Sequence, residues 1–119
     1  MADHNGEHRG ELRLTARVPV FLELPESEDS DELAAPLLLL CRLVDFSANG
    51  VRILLDRPLP VGAILRLSAQ LPEHHTPLTL VGEVRWVHCQ ADQCLVGFSL
   101  YDADRTDIEQ WKRLVAGRI

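Results

Sequence analysis

The stretch LLLLCRLVDFSANGVRILL, residues 37–55, contains two apolar runs separated by a polar segment. The first run, residues 37–44, is apolar nearly throughout and has the length of a strand. The second run, residues 51–55, alternates in the manner of a strand. Between them, Asp45, Ser47 and Gly50 are residue types that favour turns. The stretch therefore predicts two strands joined by a turn over residues 45–50.

Four further strands are predicted on either side of this stretch. Apolar residues alternate along residues 18–24, 64–71, 78–89 and 94–100. In the longest of these, alternation would place Trp86 on the same face as the apolar residues before it. Six strands with turn signals at short intervals favour a small antiparallel barrel or sandwich, in which closure removes exposed edges.

The period of the apolar residues changes after Tyr101 and predicts a C-terminal helix. Asp102 or Asp104 can cap its start. The apolar residues then recur at helical spacing, which gives a stripe that can pack on the barrel: Ile108, Trp111, Leu114 and Val115. We therefore expect Trp111 in the core.

Composition bounds the class of protein. The 119 residues are 46% hydrophobic and 25% charged, as in one soluble globular domain. A net charge of −6 disfavours binding to long nucleic acid, which needs a basic face. Apolar runs fall short of the roughly 18 residues that span a bilayer, so no membrane insertion is predicted. Three cysteines and no visible signal peptide predict reduced thiols in the cytoplasm.

Two motifs point to the chemistry of a ligand. Arg13 and Arg17 have the spacing Arg-x-x-x-Arg, for which the chance expectation is about one, whereas the Asp-x-Ser-x-x-Gly of residues 45–50 has a chance expectation of about 0.02. Guanidinium groups suit phosphate oxygens and the O6/N7 edge of guanine. A carboxylate and a hydroxyl add polar contacts, and a glycine permits a tight turn beside them. The pair suits a small, doubly anionic, guanine-bearing ligand.

At these residues the sequence resembles the PilZ domain family, bacterial receptors for the second messenger cyclic di-GMP. The resemblance covers about residues 9–115 and includes, besides the two motifs, Val18-Pro19-Val20, residues 81–87 and Val96-Gly97-Phe98. It implies a mainly β fold, a six-stranded antiparallel β-barrel of the split-barrel type with a C-terminal α-helix packed on it. We expect residues 1–12 to form a flexible arm and residues 13–119 the PilZ-like domain.

The resemblance also implies roles for single residues. Arg13 and Arg17 would contact phosphates and guanine, Asp45 and Ser47 the guanine edges, and Gly50 would serve as a backbone position. Further candidates are Arg9, Asn49 and Trp86, of which Asn49 can simply hold the turn and Trp86 can pack at the barrel rim instead of stacking on a purine.

Ligand stoichiometry depends on Leu12. Many relatives carry a third arginine at that position, where it could engage a second ligand molecule. Leucine there favours one ligand per chain, although Arg9 lies close enough in sequence to substitute.

Other classes of site find less support in the residues. No Gly-x-Ser-x-Gly elbow, paired-carboxylate motif or Walker-type loop is present, so no enzymatic activity is predicted. His88, Cys89 and Cys94 could meet across a hairpin, but a fourth zinc ligand is not evident, and we predict no metal and no cofactor.

The prediction is thus a stand-alone cytoplasmic receptor that binds cyclic di-GMP and signals to an unidentified bacterial signalling or motility protein. Motility and biofilm control are what the family implies. The first alternative is a PilZ-like adaptor that binds a protein and has little affinity for nucleotide. The second is a small nucleic-acid-binding barrel, which the acidic charge and the few aromatic residues disfavour.

Overall fold

The computed structural model describes residues 14–24, 37–72 and 74–117, and for residues 14–17 the backbone alone. Six strands are followed by one helix: β1 Leu14–Leu24, β2 Leu37–Phe46, β3 Gly50–Leu55, β4 Ile64–Ala69, β5 Leu78–Gln90, β6 Gln93–Leu100 and α1 Ile108–Gly117. Each strand predicted from the sequence is confirmed, and β1 begins earlier than its alternating pattern indicated.

The six strands close into an antiparallel barrel. Around the barrel the order is β1-β2-β3-β6-β5-β4, and β4 returns to pair with β1. Each hydrogen-bonded neighbour is antiparallel. The sequence pattern allowed a barrel or a sandwich, and the structure is a barrel. Helix α1 follows the last strand, as predicted.

Alternation along the strands builds an aliphatic core. The inward-facing positions are buried branched side chains with few aromatic residues among them, as the composition requires. Those with almost no solvent exposure include Val20, Leu22, Leu43, Ile53, Leu67, Leu80, Val84 and Val96. Helix α1 adds Ile108, Trp111 and Val115 to this core, which confirms the core position predicted for Trp111.

Helix α1 begins at Ile108, later than a cap at Asp102 or Asp104 would place it. Arg105 has a φ of 62°, a left-handed conformation that interrupts a helix. Asp107 then fixes the start, because its carboxylate accepts a hydrogen bond from the Thr79 backbone N–H at 2.7 Å and its own N–H donates to the Thr79 carbonyl at 2.8 Å. The helix therefore starts where a tertiary contact with β5 anchors it.

The alternation predicted along β5 fails at Trp86. The pairing with β6 shifts between Val84, which faces Phe98, and Trp86, which faces Gly97. Arg85 is thus the extra residue of a β-bulge, and a bulge changes the face that the following side chains occupy. Val84 is buried in the core, whereas 40% of Trp86 is exposed on the outer surface.

The prediction of reduced thiols is wrong for two of the three cysteines. Cys89 and Cys94, which are cross-strand partners at the end of the β5–β6 hairpin, form a disulfide. Cys41 is free and buried, and burial raises the pKa of its thiol to about 11, so that it is protonated and unreactive near neutral pH. Within the described ranges no cluster of three or more His, Cys, Asp or Glu could hold a metal ion, and no helix is long and apolar enough to cross a membrane.

Candidate ligand-binding surface

The turn between β2 and β3 is held by its own polar groups. The Ser47 N–H donates to the Gly50 carbonyl at 2.8 Å, and the buried Ser47 hydroxyl contacts the same oxygen at 3.4 Å. The Asn49 carbonyl accepts a hydrogen bond from the Leu100 N–H at 2.9 Å, which ties the turn to β6. Gly50 does not have a positive φ, so its contribution is the carbonyl that closes the turn and the first pairing of β3, with Ser99.

Helix α1 contacts this turn through Trp111. The indole N–H of Trp111 donates to the Ser47 carbonyl at 3.0 Å, and the Trp111 ring lies 5.1 Å from the Phe46 ring at 55°. Trp111 and Ser47 are both fully buried. The position of the turn therefore depends on the packing of the helix, a dependence that the spacing of the motif alone could not indicate.

Asp45 is paired with a residue that the sequence did not single out. Arg52 faces it across β2 and β3, and the Arg52 Nε donates to the two carboxylate oxygens at 2.8 and 2.9 Å. A second guanidinium nitrogen of Arg52 also contacts the carboxylate. The hydrogen bond to Asp45 raises the pKa of Arg52 above its usual value. The pair keeps a buried carboxylate satisfied while about a third of the Arg52 side chain remains exposed.

Trp86 lies over Gly97 on the outer surface of the barrel. A Cβ on Gly97 would fall 2.3 Å from the indole ring, a separation that van der Waals contact does not allow. The ring therefore covers the glycine backbone, and glycine at this position is what lets the ring approach. Trp86 is 40% exposed, so part of its side chain is accessible to solvent.

Strand register places these side chains in one row across the barrel. Asp45 is opposite Arg52, Arg52 is opposite Gly97, and Gly97 is opposite Trp86. The row runs through β2, β3, β6 and β5. It presents a paired carboxylate, a guanidinium and an aromatic ring on one surface, which are groups that can hydrogen-bond and stack on a planar base.

Two of the sequence-predicted arginines, Arg9 and Arg13, lie outside the described residues. Arg17 lies within β1, but its side chain is likewise outside what is described. Its strand position is informative, because Thr15 is opposite Asp45 and the pairing of β1 with β2 shifts between Thr15 and Val18. The backbone of residues 14–17 therefore lies beside the Asp45 row.

The comparison with known proteins gives one family. The sequence model described as the PilZ domain matches residues 7–117 of this chain. No curated protein sequence matches the chain.

Solved structures share the fold at low sequence identity. The inhibitor of motility of Bacillus subtilis (MotI/DgrA) is 19% identical, with a TM-score of 0.67 over 92% of this chain and 50% of that one. The PilZ domain of YcgR from Escherichia coli, solved with c-di-GMP, is 17% identical, with a TM-score of 0.66 over 92% of this chain and 89% of that one. YcgR from Escherichia coli in complex with c-di-GMP is 18% identical, with a TM-score of 0.65 over 92% and 45%. The chain thus spans about half the length of MotI/DgrA and of YcgR.

Proposed function

This chain belongs to the PilZ domain family, and from that premise we propose that it is a receptor for cyclic di-GMP that passes the signal to a protein partner. The observation that carries the proposal is the row formed by Asp45, Arg52, Gly97 and Trp86, in which the motif carboxylate shares a surface with a partly exposed aromatic ring. Two structures with this fold were solved with the dinucleotide bound.

In the proposed complex one guanine stacks on the exposed part of Trp86, an interaction worth about 1–3 kcal/mol for a base on an aromatic side chain. Arg52, exposed at its outer end, lies in the same row and can donate to the O6/N7 edge. A carboxylate has about four acceptor positions, so Asp45 can accept from guanine while it keeps a bond to Arg52. In this proposal the guanine is bound by Trp86, Arg52 and Asp45, which lie in one row across the barrel.

Arg13 and Arg17 supply the phosphate contacts of the proposal. Cyclic di-GMP carries two phosphate charges, and guanidinium groups bind phosphate oxygens through paired, charge-assisted hydrogen bonds. The ligand would order residues 1–12 against the barrel, so that a partner can distinguish the bound from the free state. Arg9 lies in the same segment and is a further candidate for this contact.

The remaining motif residues hold the turn in the proposal. The Ser47 hydroxyl and the Gly50 carbonyl bond to each other, so they keep Asp45 in place even where they do not reach the ligand. Asn49 fixes the turn to β6 through its carbonyl. The protein would act in the cytoplasm in motility or biofilm control, as a binding protein without a metal, a cofactor or enzymatic activity.

A second function is favoured by one observation. Because Arg52 already occupies Asp45 with several contacts, the motif carboxylate could serve the fold alone. The chain would then be a PilZ-like adaptor that binds a protein with little affinity for nucleotide.

Trp86 fluorescence tests the choice between the two functions. The protein has two tryptophans, of which Trp111 is fully buried and Trp86 is exposed. We expect cyclic di-GMP to change the Trp86 emission in a saturable way, because a stacked guanine removes water from the ring. GTP, which has one guanine and no cyclic geometry, should change it much less.

Gly97→Ala should weaken this binding by about ten- to a hundredfold, since the new Cβ displaces the ring on which the base stacks and 1.4 kcal/mol corresponds to a tenfold change. Gly117→Ala is the matched control, because nothing lies within 4 Å of its added Cβ. If folded Gly97→Ala bound cyclic di-GMP as tightly as the wild type, Trp86 would not be part of the binding site.

A further inference from the structure

A second row of side chains runs beside the Asp45 row on the same outer surface of the barrel. Arg42 on β2 is opposite Leu54 on β3. Leu95 on β6 is opposite Leu54 on one side and His88 on the other. On β3, β5 and β6 the second row stands two residues from the first, so its side chains share the same face of the sheet at a distance of about 6.6 Å.

A groove of about 580 Å³ lies over this second row. Its apolar lining is half-buried and consists of Val44, Leu54 and Leu95, and exposed charged side chains of Arg42 and Asp92 also line it. Sites for small ligands usually combine an apolar surface with a few polar groups, in about 300–1,000 Å³. We refer to this groove as the Arg42 groove.

The charged groups of the Arg42 groove match the edges of a guanine. A guanidinium suits the O6 and N7 acceptors, and a carboxylate suits the N1–H and 2-amino donors of the adjoining edge. Adenine carries an amino group where guanine has O6, and would present a donor to Arg42. In the part of the chain that the structure describes, no side-chain hydrogen bond or ion pair involves Arg42 or Asp92, so both remain available to a ligand.

The end of the β5–β6 hairpin holds Asp92 beside the groove. Residues 91 and 92 form the turn between Gln90 and Gln93, which are register partners. The next pair along the hairpin is Cys89 and Cys94, which the disulfide joins. The cross-link limits the movement of the turn, and a group that is held in place loses less conformational entropy when it binds.

We propose that the Arg42 groove binds the second guanine of the same cyclic di-GMP molecule whose first guanine stacks on Trp86. Arg42 donates to O6 and N7 of this base, and Asp92 accepts from N1–H and the 2-amino group. The two bases of a cyclic dinucleotide are joined through one ring of riboses and phosphates, so they can occupy neighbouring rows. The inference rests on the proposed function, because it assigns the other half of the same ligand.

Asp92→Ala should weaken cyclic di-GMP binding by about tenfold, because a carboxylate that accepts from the base is lost. General electrostatics predicts the opposite sign, since removal of a carboxylate from a chain of net charge −6 favours an anionic ligand. Asp104→Ala is the matched control, an exposed carboxylate in the connection between β6 and α1. Calorimetry gives the affinities, and binding by Asp92→Ala as tight as that of Asp104→Ala would overturn the proposal.

Arg42→Ala should weaken the binding by about ten- to a hundredfold, since a guanidinium that forms a bidentate pair with guanine is lost. Arg113→Ala removes the same charge on helix α1 and should bind as the wild type does. Circular dichroism verifies that both variants are folded. Equal affinities for the two variants would overturn the role of Arg42.

An analogue that lacks the 2-amino groups tests the contact with Asp92 directly. Cyclic di-IMP has hypoxanthine in place of guanine and is otherwise the same molecule. The wild type should prefer cyclic di-GMP to cyclic di-IMP, and this preference should be smaller by about tenfold in Asp92→Ala. Any contribution of Asp45 to the preference is common to both proteins. The same preference in the wild type and in Asp92→Ala would show that Asp92 does not contact the amino group, and would overturn the proposal.

The outcomes separate this inference from the receptor function. If cyclic di-GMP neither binds the folded wild type nor changes the Trp86 emission, the receptor function fails, and the inference fails with it. If the ligand binds and changes the emission but Arg42→Ala and Asp92→Ala bind as the wild type does, the Arg42 groove alone is refuted. Two ligands per chain in the wild type and one in Arg42→Ala would mean that the groove takes a separate molecule, which also overturns the inference.

Discussion

Trp111→Ala should lower the free energy of unfolding by about 3–5 kcal/mol, the usual range for removing a large aromatic side chain from a core. Trp111 is fully buried, packs against Phe46 and donates its indole N–H to the Ser47 carbonyl. The variant loses these contacts and leaves a cavity, and the carbonyl of Ser47 loses a buried partner, which costs about 1–3 kcal/mol where water does not replace it.

Chemical denaturation of the wild type and the variant measures this loss. Arg113→Ala is the control on the same helix, because Arg113 is exposed and its replacement should change stability by no more than about 0.5 kcal/mol. Trp111→Phe retains much of the packing but not the hydrogen bond. Its free energy of unfolding should therefore lie between those of Trp111→Ala and Arg113→Ala. A loss below about 1 kcal/mol for Trp111→Ala would mean that the helix does not support the β2–β3 turn in the way described.

Arg17→Ala should weaken cyclic di-GMP binding by about ten- to a hundredfold. A charge-assisted hydrogen bond to phosphate, or a bidentate pair with guanine, contributes about 1.5–3 kcal/mol, and each 1.4 kcal/mol is a factor of ten. We expect stability to change little, since an arginine side chain is seldom part of an aliphatic core. Calorimetry of the variant with the dinucleotide gives the affinity.

Arg113→Ala serves again as the control, because it removes the same charge at a position on helix α1. It should bind cyclic di-GMP as the wild type does. If the two variants lost affinity equally, general attraction between arginines and an anion would account for binding, and the motif would not define a site.

The barrel could be predicted because its strands follow simple rules. Alternating apolar residues give each strand a buried face, and proline, glycine and acidic runs separate the strands. The prediction failed where a tertiary contact or a bulge overrides the local pattern. Trp86 leaves the core because Arg85 is an extra residue in β5, and the helix starts at Ile108 because Asp107 binds Thr79.

The candidate site was only partly predictable for a related reason. Asp45 and Ser47 belong to a contiguous motif whose composition is unusual, so they can be found along the chain. Arg52 and Gly97 enter the site through strand register, which a single sequence does not reveal. The disulfide between Cys89 and Cys94 depends on the same register, since it requires that the two residues face each other across the hairpin.

Calorimetric titration of the full chain with cyclic di-GMP tests the central claim most directly. The account predicts saturable binding of one ligand per chain, because Leu12 stands where a third arginine would engage a second molecule. GTP and single-stranded RNA at matched concentration should give much weaker heats. Two ligands per chain would contradict the role given to Leu12, and the absence of binding to folded protein at about millimolar ligand, where even a complex worth about −4.1 kcal/mol is half formed, would contradict the receptor function itself.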